Sequence, residues 1–249
     1  MGLTIHWTLE NSLSTSTVLA KLHELRSACL GLPFDTVGEI VHLRGSDIKK
    51  IHDDRDHPLR WAMIQSEGSL VLNRGSGREC WLRVPPLELV GFSTWPGEGC
   101  EEANIFIGRF PESVFHEGKG IKTAFAPWAG HSFCKTQYAS NVSLPHFLQC
   151  HLTVTAMLDK GRELGLVAGV NDEGEYWEKR DLPALAQEVG EWNEMIAGLF
   201  GALDAAGHTA LSPITQHPQF EQLEHRGLQS ATTALAAKKL AEIAKRLPR

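Results

Sequence analysis

The sequence holds no apolar run approaching the ~20 residues that a helix needs to span a bilayer. It has no CxxC pair, and its five cysteines, Cys29, Cys80, Cys100, Cys134 and Cys150, are odd in number. A chain of 249 residues can build a core without disulfide staples, so reduced thiols in a cytoplasm are expected. The opening "MGLTIHWTLE" lacks a basic stretch followed by a long apolar one, and no signal peptide is expected. Myristoylation at Gly2 would want Ser or Thr where His6 stands. P-loop, GxGxxG and GxSxG sequences are missing, which weighs against nucleotide-dependent and α/β-hydrolase chemistry. The HExxH and HxxxH spacings of helical zinc sites are missing too.

Acidic residues outnumber basic ones outside the last 22 residues. There Lys238, Lys239, Lys245, Arg246 and Arg249 stand against Glu242, a tail of +4 within a chain of −6, which leaves −10 for the body. An acidic body is a poor nucleic-acid surface, because that needs many phosphate-neutralising cations. Apolar residues at 42% and charged residues at 22% match an ordinary globular chain able to bury a core.

Periodicity supplies the elements. Residues 3–10 alternate as a strand, and a helix near 14–30 follows, with Val18, Leu22, Leu25 and Cys29 at helical spacing. Residues 36–45 complete a β-α-β opening. From 60 to 110 the pattern is short strands: "RWAMIQS", "SLVLN", "CWLRV", "LELVGFSTW" and "ANIFIGRF", parted by Gly- and Pro-rich turns. Such short connections favour antiparallel pairing. A further strand is expected at 121–130 and a helix at 143–165. A strand, a turn at "NDEG" and a return strand follow. A helix at 181–206 is capped by Asp181 and striped by Leu185, Val189, Trp192, Ile196, Leu199 and Leu203. The expected fold is α+β: a mainly antiparallel sheet with three helices packed on it, one domain over 1–206. A linker over 207–219 leads to a C-terminal helical arm, 220–249, helical near 228–247.

Four segments are candidates for chemistry. In "TWPGEGCEEANIFIG", Gly97 and Gly99 permit a sharp turn that holds Glu98, Cys100 and Glu101 between strands. Glu98 or Glu101 can serve as a base and Cys100 as a nucleophile; a solvated hairpin explains the same residues. In "GHSFCKTQYAS", read as a loop, His131 or Lys135 would lower the pKa of Cys134, with Gln137 and Tyr138 as hydrogen-bonding neighbours. A buried structural cysteine is the plainer account. His131 with Cys134, Cys150 and His151 makes a poor zinc set, because Cys150 and His151 point about 100° apart on one helix. "IHDDRDHPLRW" gathers acids and imidazoles at 52–57, a solvated turn or a weak divalent-ion site. "NDEGEYWEKRD" sets Asp172 beside Trp177, a polar-ligand pocket or a packed hairpin.

Two function classes follow. One is a binding or interaction protein, with a protein partner or self-association through the arm. The other is a small-molecule enzyme whose catalytic residues are Cys134, His131 and Glu101. It would bind ligand through Glu98, Cys100, Lys135, Gln137, Tyr138, Asp172 and Trp177, in a cleft of the 96–104, 130–140 and 171–178 loops. The residues point to no particular cofactor.

Overall fold

The computed structural model describes residues 3–54, 56–72, 80–205 and 213–229. The elements in chain order are β1 (Thr4–Asn11), α1 (Thr15–Cys29), β2 (Thr36–Val37), β3 (Val41–Arg44), α2 (Ser46–Asp53), α3 (Arg60–Ser66), β4 (Gly68–Leu72) and β5 (Cys80–Val84). Then come β6 (Glu88–Phe92), β7 (Thr94–Trp95), β8 (Ile105–Arg109), β9 (Ser113–His116), β10 (Lys119–Lys122), β11 (Trp128–Lys135), α4 (Leu144–Glu163), β12 (Val167–Asp172), α5 (Tyr176–Lys179), α6 (Leu182–Ala205) and α7 (Phe220–Gln229). The fold is α+β, built on a six-stranded antiparallel sheet ordered β12-β1-β11-β8-β6-β3. Three two-stranded pairs, β2 with β7, β4 with β5 and β9 with β10, surround it.

Alternation along β1 decides the two faces of the sheet. Ile5, Trp7 and Leu9 are buried, while His6, Thr8 and Glu10 point to solvent. The buried face meets Val18, Leu22, Leu25 and Cys29 of α1 and Val154, Met157 and Leu158 of α4. α1 starts where the Ser14 hydroxyl accepts from the Thr17 N–H at 3.2 Å, and α4 where Ser143 does the same for His146 at 3.2 Å. On the opposite face, α2 and α3 cover β6 and β8 through Ile48, Ile51, Ala62, Met63, Leu89 and Phe106, and α3 borders β11. The outer face of β1 and β11, with His6, Thr8, His131 and Phe133, remains exposed.

Several elements differ from the sequence pattern. Residues 60–66, expected as a strand, form α3, because a seven-residue apolar run does not distinguish the two periods and packing on α2 selects the helix. Residues 36–45 split into β2 and β3, and β3 pairs with β6 at the far edge, so the opening β-α-β order is not a neighbouring unit of the sheet. The strand expected at 121–130 lies instead at 128–135, so His131, Cys134 and Lys135 sit on a central strand and not in a loop. The hairpin of β9 and β10 was not foreseen. The return strand after "NDEG" is the helical turn α5, held by Asp172 accepting from the N–H groups of Gly174 at 2.9 Å and Trp177 at 3.0 Å.

α6 forms where expected, with Asp181 accepting from the Ala184 N–H at 3.0 Å. Its buried line is Leu185, Val189, Asn193 and Ala197. Trp192 is half-buried at the rim, its indole N–H donating to Glu188 at 2.8 Å, because that helix face borders solvent instead of the sheet. α7 packs on α6 through Leu223, Ala197 and Ile214. The helix expected near 228–247 lies almost wholly outside the described residues. Among those described, no helix is long and apolar enough to cross a membrane.

Candidate functional site

The glycine-rich loop after β7 is shaped by its neighbours. Gly99 has φ of +78°, and a Cβ there would come within 2.4 Å of the Tyr138 carbonyl oxygen. The loop is thus pressed onto the turn that follows β11, and only glycine fits. The Trp95 indole N–H closes it, donating to the Cys100 carbonyl at 3.1 Å. Beyond the turn, Glu101 joins β11 twice: its N–H donates to the Lys135 carbonyl at 3.0 Å, and its carboxylate accepts from the Lys135 N–H at 3.1 Å.

The 96–104, 130–140 and 171–178 segments meet at one end of the sheet, but their side chains part company there. Residues 131 and 134 lie an odd number of positions apart on one strand, so His131 faces outward beside Thr8 while Cys134 faces the core opposite Ile5. The Cys134 thiol is fully buried and donates to the Glu101 carbonyl at 3.2 Å. Burial first, then the Glu101 carboxylate and Cys150, push its pKa well above the ordinary thiol range. Lys135 does not face it, because its ammonium lies 4.6 Å from the centroid of the Tyr138 ring. Cys100 shares a hydrogen bond with Cys150, which pushes Cys100 up and draws Cys150 down; burial adds to the rise at Cys100. Glu98 is exposed, and its carbonyl accepts from the His146 ring at 3.0 Å. Gln137 is buried against α6, its amide donating to Asn193 at 3.3 Å. Trp177 is buried under the Arg180 guanidinium, 4.7 Å from its ring centroid.

Asp172 belongs to a buried chain that the sequence did not reveal. The His151 Nε2 donates to its carboxylate at 3.0 Å, and the Thr136 hydroxyl stands 2.9 Å from Nδ1. Burial pushes the Asp172 carboxyl up, but His151 and the N–H groups of Gly174 and Trp177 outweigh it and hold the pKa below the usual carboxylate range. A hydroxyl, an imidazole and a carboxylate in line invite comparison with nucleophilic catalysis. Thr136 and His151 are both 0% exposed, however, so the hydroxyl meets no substrate, and the chain ties β11, α4 and β12 together. Among the described residues, no three His, Cys, Asp or Glu side chains converge as a metal site.

The open feature at this end of the sheet is a pocket of 270 Å³ lined by Trp61, Gln65, Glu101, Glu102, Asn104 and Phe133. β8 and β11 pair at Trp128–Arg109 and Ala129–Gly108, and β11 meets the chain again at Glu101. The pocket lies beside that interval, with α3 along its side. Trp61 and Gln65 are one helical turn apart on α3, directed away from buried Ala62 and Met63. Trp61 is 69% exposed and Phe133 40% exposed. Asn104 is buried, its Nδ2 donates to Glu102 at 3.2 Å, and its Oδ1 has no partner; Gln65 Oε1 is likewise buried and unpaired. Of the sequence candidates, Glu101 alone lines this pocket. Trp61, Gln65 and Asn104 were missed, because "RWAMIQS" shows Trp61 and Gln65 on one side only once it is a helix. Comparison of the chain with protein-family models, with curated proteins and with solved structures finds no match in any of the three.

Proposed function

We propose that this is a non-catalytic binding protein that docks a protein partner on the open half of its sheet, with the Trp61–Phe133 pocket as the anchor. The observation that carries this reading is the pair of exposed aromatic side chains, Trp61 and Phe133, brought from α3 and β11 to one pocket beside an uncovered sheet face. Exposed aromatics that line a pocket are typical anchors of protein interfaces. His6, Thr8 and His131 extend the surface as a flat face suited to another protein. The burial of Cys134, whose pKa lies well above the ordinary thiol range, favours binding over a reaction at that thiol. The basic tail lies outside the described residues and is not needed for this reading.

A random-peptide display library panned against the protein tests it. Enriched peptides should lose at least about tenfold in affinity for Trp61→Ala and for Phe133→Ala. They should bind Phe115→Ala as they bind wild type, since Phe115 is equally apolar and 84% exposed but on the β9–β10 hairpin. Peptides indifferent to Trp61 and Phe133 would refute the docking face.

A further inference from the structure

We infer that β12, the open edge of the sheet, pairs with β12 of a second copy of this chain, so that one antiparallel sheet runs through both copies. Sheet order leaves β12 with β1 on one side and no strand on the other. Two hydrogen bonds decide which of its backbone groups face outward. The Glu173 N–H donates to the Thr4 carbonyl at 3.1 Å, on the β12 side of β1, and the Thr136 N–H donates to the Leu3 carbonyl at 3.2 Å, on the β11 side. Bonding direction alternates along an antiparallel strand, so Thr4, His6 and Thr8 serve Glu173, Asn171 and Gly169. Val170 and Asp172 therefore turn their N–H and C=O groups away from β1. The Asp172 carbonyl accepts from the Glu175 N–H at 2.9 Å. The Val170 N–H and C=O and the Asp172 N–H have no hydrogen-bond partner among the described residues. Ala168, Gly169 and Asn171 are exposed, and a groove of 200 Å³ follows this edge, lined by Arg162, Val167, Ala168, Gly169, Val170 and Trp177.

An occupant of this edge must present N–H and C=O groups at strand spacing, as an extended chain does. β12 is such a chain, and it complements itself. About a two-fold axis at Val170, the N–H of each copy's Val170 donates to the C=O of the other's, and each Asp172 N–H falls beside the opposite Ala168. Residues 167–171 carry no charge and no proline, the devices that commonly guard an edge. The register shift opposite Thr8 and Leu9 touches only the first residues of the strand. The other edge, β3, is four residues long and holds Arg44. Charges of opposite sign flank β12: Arg162 precedes it, and Glu173 and Glu178 follow it. Antiparallel pairing lays the start of one β12 along the end of the other, so Arg162 of each copy meets the acidic end of its neighbour. Arg162 and Glu178 are exposed, and neither has an ion pair within its own copy among the described residues. A strand from an unrelated protein would share the backbone pattern without this match of charges. Six residues from each copy fall short of the usual interface of about 20–30 residues a side, so the dimer should dissociate on dilution.

The test is sedimentation velocity of the full chain across a concentration series, with amide hydrogen exchange at both ends of it. Mass should rise from one chain to two, and exchange of the Val170 amide should slow as it does. Ala168→Lys sets like charges along the seam, at an exposed position where folding is not at stake, and should raise the dissociation constant at least about tenfold. Ala168→Thr, uncharged and suited to a strand, should leave it within about twofold. Arg162→Glu should weaken the dimer at least about fivefold, and adding Glu178→Arg should restore it. A monomer at every concentration, a dimer indifferent to Ala168→Lys, or a Val170 amide that exchanges equally fast in monomer and dimer overturns the inference. A charge swap that fails to restore the dimer overturns the antiparallel pairing about Val170, and the inference with it. Library peptides that slow Val170 exchange in a chain that stays monomeric would give the edge to a foreign strand and overturn self-pairing.

Discussion

At the scale of single residues, the largest stakes lie in the buried Thr136–His151–Asp172 chain. Removing the Asp172 carboxylate leaves the His151 ring and two backbone N–H groups buried with a poorer acceptor, at a cost of about 1–3 kcal/mol. Asp172→Asn is therefore expected to lose that much in urea unfolding, and it also weakens the cap of α5. Thr136→Val keeps the shape and loses one hydrogen bond, so about 1–2 kcal/mol is expected. If Asp172→Asn unfolds within 1 kcal/mol of wild type, the chain is not the clamp described. The cysteines yield a second residue-level expectation. Alkylation at neutral pH should reach Cys80 first, because it is the exposed thiol, and Cys134 only as the protein unfolds. Fast labelling of Cys134 in the folded protein would contradict the buried, raised-pKa thiol.

At the scale of elements, two helical glycines separate local propensity from packing. Gly227 of α7 lies so close to α6 that a Cβ would collide with the Glu194 carbonyl oxygen and come within 2.8 Å of Gly198. Backbone cannot give way as a side chain does, so Gly227→Ala should push α7 off α6 and cost about 1–3 kcal/mol despite alanine's better helix propensity. Gly190, on α6, has open space around it, so Gly190→Ala should instead gain about 0.5–1 kcal/mol. Thermal melts that move in opposite directions would bear out the α6–α7 contact; a stabilised Gly227→Ala would refute it. α3 teaches the same lesson from the other side. Its seven residues carry no decisive period, and α2 beneath it makes it helical and so brings Trp61 and Gln65 to the pocket.

At the scale of the whole molecule, two buried carboxylates set the acid limit of stability. Glu88 bridges three strands: Arg109 stands at 2.7 Å, His42 at 3.0 Å and Arg44 at 3.1 Å. Burial raises its pKa, but the hydrogen bonds of His42 and Arg109 and the guanidinium charges outweigh it, and the pKa lies below the ordinary value. Asp172 is depressed in the same sense. Both groups bind protons more readily in the unfolded chain, where their pKa values are about 4. Their stabilisation is complete above that value and lost as pH falls through the lower folded values. The urea midpoint should therefore fall steeply below about pH 4. Glu88→Gln should be less stable at pH 7 and show a shallower acid limb; an acid limb as steep as wild type would remove Glu88 from the account.

Alternation and helical spacing determined much of the architecture without coordinates. β1, α1, α4 and α6, and the cap Asp181, depend on contacts a few residues away, so they are legible locally. The need for glycine at Gly99 was visible as a tight turn, though not its cause, which is the Tyr138 backbone. Strand order, the register that turns His131 away from Cys134, and the helical state of 60–66 were decided by tertiary packing. The pocket belongs to that second class: Trp61, Asn104 and Phe133 come from three separate segments of the chain, and each looks ordinary alone. A thiol's reactivity and an amide's unmet hydrogen bond depend on what surrounds them, and distant parts of the chain supply those surroundings only when the sheet closes.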